Sequence, residues 1–171
     1  MRWSQETKIL VVEDSAQDAL LIRTAVQRSG IRASMDVVED GVEAVQYLRG
    51  EGNYSNRRTS PLPTFILCDI KMPQMDGLQF LRWVRSYPEC CRVPILLFSV
   101  TGTNLDVQEA YDLGANAYLL KPPTLEELTE LLRVTCDFWS RCASPEVNVT
   151  SAAPLLLESS AARFSRGPRV R

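Results

Sequence analysis

Apolar runs at residues 8–12, 65–68, 95–98 and 117–120 each stop at a residue able to do chemistry. The acidic pair Glu13-Asp14 follows Ile9-Leu10-Val11-Val12, and Asp69 follows Phe65-Ile66-Leu67-Cys68. Ser99 follows Ile95-Leu96-Leu97-Phe98, and Lys121 follows Ala117-Tyr118-Leu119-Leu120. Runs this short and this uniformly apolar read as strands buried on both faces, the pattern of a parallel sheet. Such strands finish at one edge of the sheet, so that edge is expected to carry three carboxylates and one ammonium. A fifth segment, Ala33 to Val38, alternates Ala33, Met35 and Val37 with Ser34 and Asp36, as an edge strand does.

Helical spacing separates the runs. Ala19, Ile22 and Val26 fall at i, i+3, i+7, with Gly30 as a stop. Val42, Val45 and Leu48 do the same within 41–49. Leu78, Leu81 and Val84 follow Asp76-Gly77, and Pro88 closes that helix. Residues 103–113 predict a fourth helix ending at Gly114. Leu125, Leu128 and Leu132 predict a fifth, opened by Thr124 with Glu127 three residues on, a capping-box pattern. Strand–helix alternation of this kind gives a (βα)5 chain with right-handed crossovers and helices on both sheet faces. The expected fold is the flavodoxin-like, doubly wound α/β architecture, five parallel strands in the order 2-1-3-4-5. In that order the first and third strands are neighbours. Their carboxyl ends form the topological switch point, where Glu13-Asp14 and Asp69 meet.

Three carboxylates within a few ångströms cannot all stay ionised and unpaired. Mg2+ resolves the conflict: it takes oxygen ligands at about 2.0–2.1 Å, keeps several waters, and often binds a phosphoryl oxygen beside one or two carboxylates. An aspartate beside the ion can attack phosphorus. Lys121 can supply the counter-charge, and Ser99 can donate a hydrogen bond to phosphoryl oxygens. Taken singly, each has a plainer reading: Asp14-Ser15 as a helix cap, Asp69 as the start of a turn, Lys121 as a surface lysine, Ser99 as a strand-end hydroxyl. Their joint placement at four strand ends is what those readings leave unexplained.

Composition narrows the classes further. The chain has 171 residues, 45% of them apolar, enough for one cored domain and a tail. No run approaches the ~20 apolar residues of a membrane span, and residues 1–6 lack the apolar stretch of a signal peptide. A cytoplasmic protein without membrane contact is expected. Five cysteines with no C-x-x-C pair indicate neither a disulfide framework nor a zinc site. The absence of histidine removes Ser-His and Cys-His nucleophile pairs and histidine metal ligands. Residues 141–171 hold five Arg and two Glu, near +3, which leaves the remainder near −5. An acidic body argues against nucleic-acid binding. The segment 141–171, with Arg163, Arg166, Arg169 and Arg171, reads as a solvated, disordered tail to a domain spanning 1–140. The polar connection Gly50 to Pro63 is long enough to be functional or mobile.

The chain resembles the receiver domain of two-component response regulators. The residues that carry the likeness are Lys8 to Asp14 (KILVVED), Leu67 to Gly77 (LCDIKMPQMDG), Val93 to Ser99 (VPILLFS) and Gly114 to Pro122 (GANAYLLKP), in order and in spacing over about 7–139. The resemblance implies that Asp69 accepts a phosphoryl group and that Glu13, Asp14 and Asp69, with the Lys71 backbone carbonyl, hold Mg2+. It implies Ser99 as the switch hydroxyl, Tyr118 as the aromatic that follows it, Lys121 as the phosphoryl partner, and a cis peptide before Pro122. Val100 departs from the small residue common there, which narrows access to Asp69, and Pro123 stands where an aromatic is common. The 50–63 connection and Phe138-Trp139 resemble single-domain regulators associated with bacterial phytochrome kinases.

The resemblance further implies a phosphoacceptor rather than an enzyme beyond its own Mg-dependent phosphorylation and dephosphorylation. The donor is then a sensor histidine kinase of phytochrome-like type, and output is a protein contact or onward phosphoryl transfer in a relay. Leu125, Leu128 and Leu132 on one side, and Leu131, Val134 and Phe138 on another, make the last helix apolar over a wide arc. Homodimerisation through the face of 103–113, 117–120 and 124–139 is therefore expected. An aspartyl-phosphate phosphohydrolase of the haloacid dehalogenase type is disfavoured, because Lys71 occupies the place of its second acid. A phosphorylation-independent docking module is the remaining alternative, and the intact acidic pair, Asp69 and Lys121 speak against it.

Overall fold

The computed structural model describes residues 7–143. Its strands are β1 (Thr7–Val12), β2 (Ala33–Val38), β3 (Phe65–Asp69), β4 (Ile95–Ser99) and β5 (Ala117–Leu120). They pair in parallel in the order β2-β1-β3-β4-β5, as expected. The helices are α1 (Ala16–Arg28), α2 (Gly41–Arg49), α3 (Gly77–Ser86), α4 (Asn104–Asp112) and α5 (Leu125–Arg141). Residues 1–6 and the expected tail beyond 143 lie outside the described residues.

The apolar runs of β1, β3 and β4 are strands because both of their faces are covered. The run 117–120, expected to be buried in the same way, forms the edge strand β5, half-buried along Ala117 to Leu119 and exposed at Leu120, because no described strand pairs beyond it. Alternate side chains of one strand enter opposite cores. Leu10, Val12, Ile66, Cys68, Ile95 and Leu97 pack with α2, α3 and α4 through residues such as Tyr47, Phe80, Leu81 and Ala110. Ile9, Val11, Phe65, Leu67, Leu96 and Phe98 pack with α1 and α5 through Ile22, Val26, Leu128 and Leu132. Full burial of each such side chain is worth about 1.5–3 kcal/mol, so the three central strands anchor the domain. β2 is an edge strand, but its side chains do not alternate in burial: Ala33 to Val37 are all half-buried, and only Val38 is sealed.

Helix starts follow local chemistry. Ser15, Asp40, Asp76, Thr103 and Thr124 each accept a backbone N–H from three residues on. Reciprocal capping boxes form at Asp76/Gln79 and Thr103/Asp106. At Thr124 only half of the expected box is present, the threonine taking the Glu127 N–H. α3 stops at Ser86, with Pro88 in the turn that follows.

The 50–63 connection is fastened to the body. Arg57 donates to the carbonyls of Tyr47, Leu48 and Ser60, capping the end of α2. The Tyr54 ring lies 4.9 Å from that of Tyr47, and its hydroxyl donates to Glu43. These contacts seat the connection against α2.

One close approach ties the helix register to the site. A Cβ on Gly77 would stand 2.2 Å from the Asp69 carbonyl oxygen and 2.9 Å from Ile70 Cα. Both are backbone atoms that cannot swing aside. Gly77→Ala is expected to cost about 3 kcal/mol or more, the upper range of overpacking, read as a fall in the urea midpoint at unchanged m-value. A loss under ~1 kcal/mol contradicts this packing.

Candidate functional site

The strand order brings the separated charges together. β1 and β3 are adjacent in the register Val12 to Cys68, so the residues just past them, Glu13-Asp14 and Asp69, share one edge. Glu13, Asp14 and Asp69 each offer a carboxylate oxygen, all within 4.8 Å of one another. Two oxygens bound to one Mg2+ at about 2.0–2.1 Å stand at most ~4.2 Å apart, so small side-chain adjustments seat a hard cation. The donor set is all oxygen, which suits Mg2+ or Mn2+ over soft metals. Asp14 is exposed and free to take a ligand, whereas Glu13 is buried.

Lys121 arrives from the far side of the sheet. Its backbone N–H donates to the Ser99 carbonyl at 2.7 Å, which fixes where its side chain departs. The ammonium hydrogen-bonds Glu13 at 2.7 Å and Asp18 at 2.9 Å, and forms an ion pair with Asp69 at 3.0 Å. Burial works against the ammonium, but the hydrogen bonds to Asp18 and Glu13 and the close charge of Asp69 outweigh it and raise its pKa. Burial likewise raises the Glu13 pKa, opposed by the bond and charge of Lys121. Nζ also stands 5.6 Å from the centre of the Phe98 ring. The other Asp69 oxygen, Oδ2, accepts the Lys71 N–H at 2.9 Å, which fixes the turn after β3.

Ser99 and Tyr118 converge on one residue of the β4–α4 loop. The buried Ser99 Oγ accepts the Thr101 N–H at 3.3 Å, and the Tyr118 hydroxyl donates to the Thr101 carbonyl at 2.7 Å. A Cβ on Gly102 would meet Tyr118 Cε1 at 3.0 Å, so glycine leaves room for the ring. A shift of Ser99 therefore has a short physical route to Tyr118 through Thr101.

Two expectations need correction or addition. The bond before Pro122 is trans, since the described residues contain no cis peptide. X–Pro bonds favour trans by about 0.5–1 kcal/mol, and Lys121 reaches its three carboxylates without the cis form. Asp18 was not among the residues singled out from the sequence. Its only local sign is its place three residues after the Ser15 cap. Val100 stands exposed at the site's rim, lining a cavity of about 220 Å³ with Leu21, Pro122 and Pro123.

Comparisons with known proteins fit this geometry. The family model for the response regulator receiver domain matches residues 9–133. The chain is 32% identical over 131 residues to response regulator Rcp1 of Synechocystis sp., covering 77% of this chain and 87% of that protein. It is similar to the phosphorylated cyanobacterial phytochrome response regulator RcpA, at 34% identity and a TM-score of 0.73, over 82% of this chain and 98% of the other. The manganese-bound form of Rcp1 matches at 30% identity and a TM-score of 0.69, over 81% and 97%. No helix among the described residues is long and apolar enough to cross a membrane.

Asp14→Asn removes a charged oxygen donor from an exposed position and leaves the core untouched. Mn2+ affinity, followed by the electron paramagnetic resonance of free ion, is expected to fall about 10-fold or more, the scale on which partners of a metal site act, with urea stability unchanged. Unaltered affinity removes Asp14 from the ligand set.

Proposed function

Since the chain belongs to the response regulator receiver family, whose function is phosphoacceptor signalling, we propose that Asp69 is the residue that takes the phosphoryl group. The observation that carries this is the Asp69 carboxylate grouped with the oxygen donors of Glu13 and Asp14 and paired with the Lys121 ammonium at 3.0 Å. A histidine kinase is the donor, and the likeness to phytochrome response regulators supports one of phytochrome type. An Asp69 oxygen attacks phosphorus as the bond from phosphorus to the donor imidazole nitrogen breaks. The electron pair of that bond leaves with the imidazole, and an aspartyl phosphate remains.

Glu13, Asp14, Asp69 and the Lys71 carbonyl would hold Mg2+, which when bound supplies charge neutralisation for the incoming phosphoryl oxygens. Lys121 meets one phosphoryl oxygen and holds it in line. The Ser99 hydroxyl, which accepts the Thr101 N–H, has its own proton to donate to another. Tyr118 follows because it grips the same Thr101. The outcome is a population shift of the α4–β5–α5 face. With the same residues the domain would phosphorylate itself from acetyl phosphate and later hydrolyse the product.

That face has apolar side chains to offer. Exposed apolar side chains lie on its elements, Leu105 (82% exposed) on α4, Leu120 on β5, and Val134 and Phe138 (58%) on α5, while Leu128 and Leu132 face the sheet. A second copy of the chain is the partner that fits, with onward phosphoryl transfer as the other output. Lys71 stands where a phosphohydrolase would need a second acid, so the site is suited to carrying the group rather than to turnover of phosphate esters.

Acetyl phosphate with Mg2+ should add one phosphoryl group to the wild type by intact mass and none to Asp69→Asn. Equal labelling of the variant refutes the assignment. Beryllofluoride with Mg2+ should convert the protein to a dimer in analytical ultracentrifugation. A monomer at high concentration, with and without the ligand, overturns the dimer.

A further inference from the structure

Lys121 has three N–H donors and three carboxylates around it, but the three contacts differ. Those to Glu13 Oε2 (2.7 Å) and Asp18 Oδ2 (2.9 Å) have hydrogen-bond geometry. The contact to Asp69 Oδ1, at 3.0 Å, is an ion pair alone. The ammonium is therefore gripped from β1 and from α1, and the leg toward Asp69 is the one available to a new acceptor.

Asp18 is placed for this by an unusual use of the helix start. It occupies the position of α1 from which a carboxylate ordinarily reaches back to the N–H of the capping residue. Here that N–H, on Ser15, donates instead to Glu13 Oε1 at 3.2 Å. The Asp18 backbone N–H is held by Ser15 Oγ at 3.2 Å. The Asp18 carboxylate is thus released from capping, on a backbone that is fixed, and it points at Lys121. Its side chain is 36% exposed against 13% for Lys121, so it lies outside the lysine, at the rim of the site.

We propose that Asp18 is a positioning residue for phosphoryl transfer: with Glu13 it holds the Lys121 ammonium so that the remaining N–H faces the incoming phosphoryl oxygen. This rests on the phosphoacceptor reading above and adds to it a residue that touches neither phosphorus nor the cation. Lys121 is a long, rotamer-rich chain, and misplacing a charge-stabilising donor by about 1 Å can cost up to ~100-fold in rate. Glu13 still holds the lysine when Asp18 is lost, so the effect is smaller than loss of the lysine. An asparagine at 18 keeps an oxygen acceptor for Nζ and removes only the charge.

The test follows phosphorylation of the wild type, Asp18→Ala and Asp18→Asn by acetyl phosphate with Mg2+, alongside Mn2+ affinity of the same proteins. The expected result is a rate about 10-fold lower for Asp18→Ala, recovery to within about threefold of wild type in Asp18→Asn, and Mn2+ affinities within about twofold throughout. Three results overturn the inference: Asp18→Ala labelling like wild type, both variants equally slow, or Mn2+ affinity falling in step with rate. The second shows that the charge matters rather than the acceptor, and the third makes Asp18 part of the cation site. A wild type that takes no label overturns the phosphoacceptor reading itself, a failure distinct from these.

Discussion

Glu13, Asp14, Asp18 and Asp69 gather at one edge of the sheet, and their mutual repulsion is the constraint to which the rest of the structure answers. Two like charges 4 Å apart repel by about 4 kcal/mol at an effective dielectric near 20. The protein's reply is Lys121, delivered from β5, two strands beyond β3 in the sheet, and held by three of the four acids. The remaining acid, Asp14, is exposed and completes the oxygen cluster with Glu13 and Asp69. One fixed cation, Lys121, thus offsets part of the charge, and the oxygen cluster is of a kind that could hold a divalent ion. Because the fixed one contacts Asp69, a change of charge at Asp69 is felt at once on β1, α1 and β5.

The scaffold makes this edge stiff and leaves the neighbouring loop light. β1, β3 and β4 are sealed on both faces, so the points from which Glu13, Asp69 and Ser99 depart cannot drift. The α3 start is clamped on the carbonyl of Asp69 through Gly77. By contrast the β4–α4 loop is held at Thr101 by one bond from each direction, to Ser99 and from Tyr118. The bond to Ser99 leaves the Ser99 proton free for another acceptor, and each of the two bonds that hold the loop at Thr101 is a single hydrogen bond of ordinary strength. At the far end of the domain Arg85 joins three carbonyls and Asn116, which ties α3 to the segment leading into β5.

Much of this was legible before any coordinates. Uniformly apolar runs located the three inner strands and the edge strand β5 to within a residue. Burial on both faces forbids polar positions in the inner three, whereas β5 is apolar although half-exposed. The charged residues that the fold brings together, Glu13, Asp14, Asp69 and Lys121, were legible as the first polar residues after those runs. The 50–63 connection was harder. Its polar composition suggested exposure and mobility, yet Arg57 and Tyr54 use polar atoms to bond helix-end carbonyls and a carboxylate. Polarity signals the need for partners, and it does not say whether those are water or protein. The expected cis bond at Pro122 failed because a local sequence leaves both isomers close in energy and the surroundings choose.

The order of elements and the sheet topology are thus legible in the sequence alone, and so are Glu13, Asp14, Asp69, Ser99 and Lys121 as candidate residues at strand ends, whereas Tyr118 came only from the family resemblance. Periodicity and strand-end chemistry are local properties, and few topologies satisfy them. The tertiary structure alone decided that Asp18 belongs with Lys121, 103 residues away, and that Ser99 and Tyr118 meet through Thr101. Those are matters of where side chains point after packing, and no spacing rule carries a direction from α1 across to the end of β5.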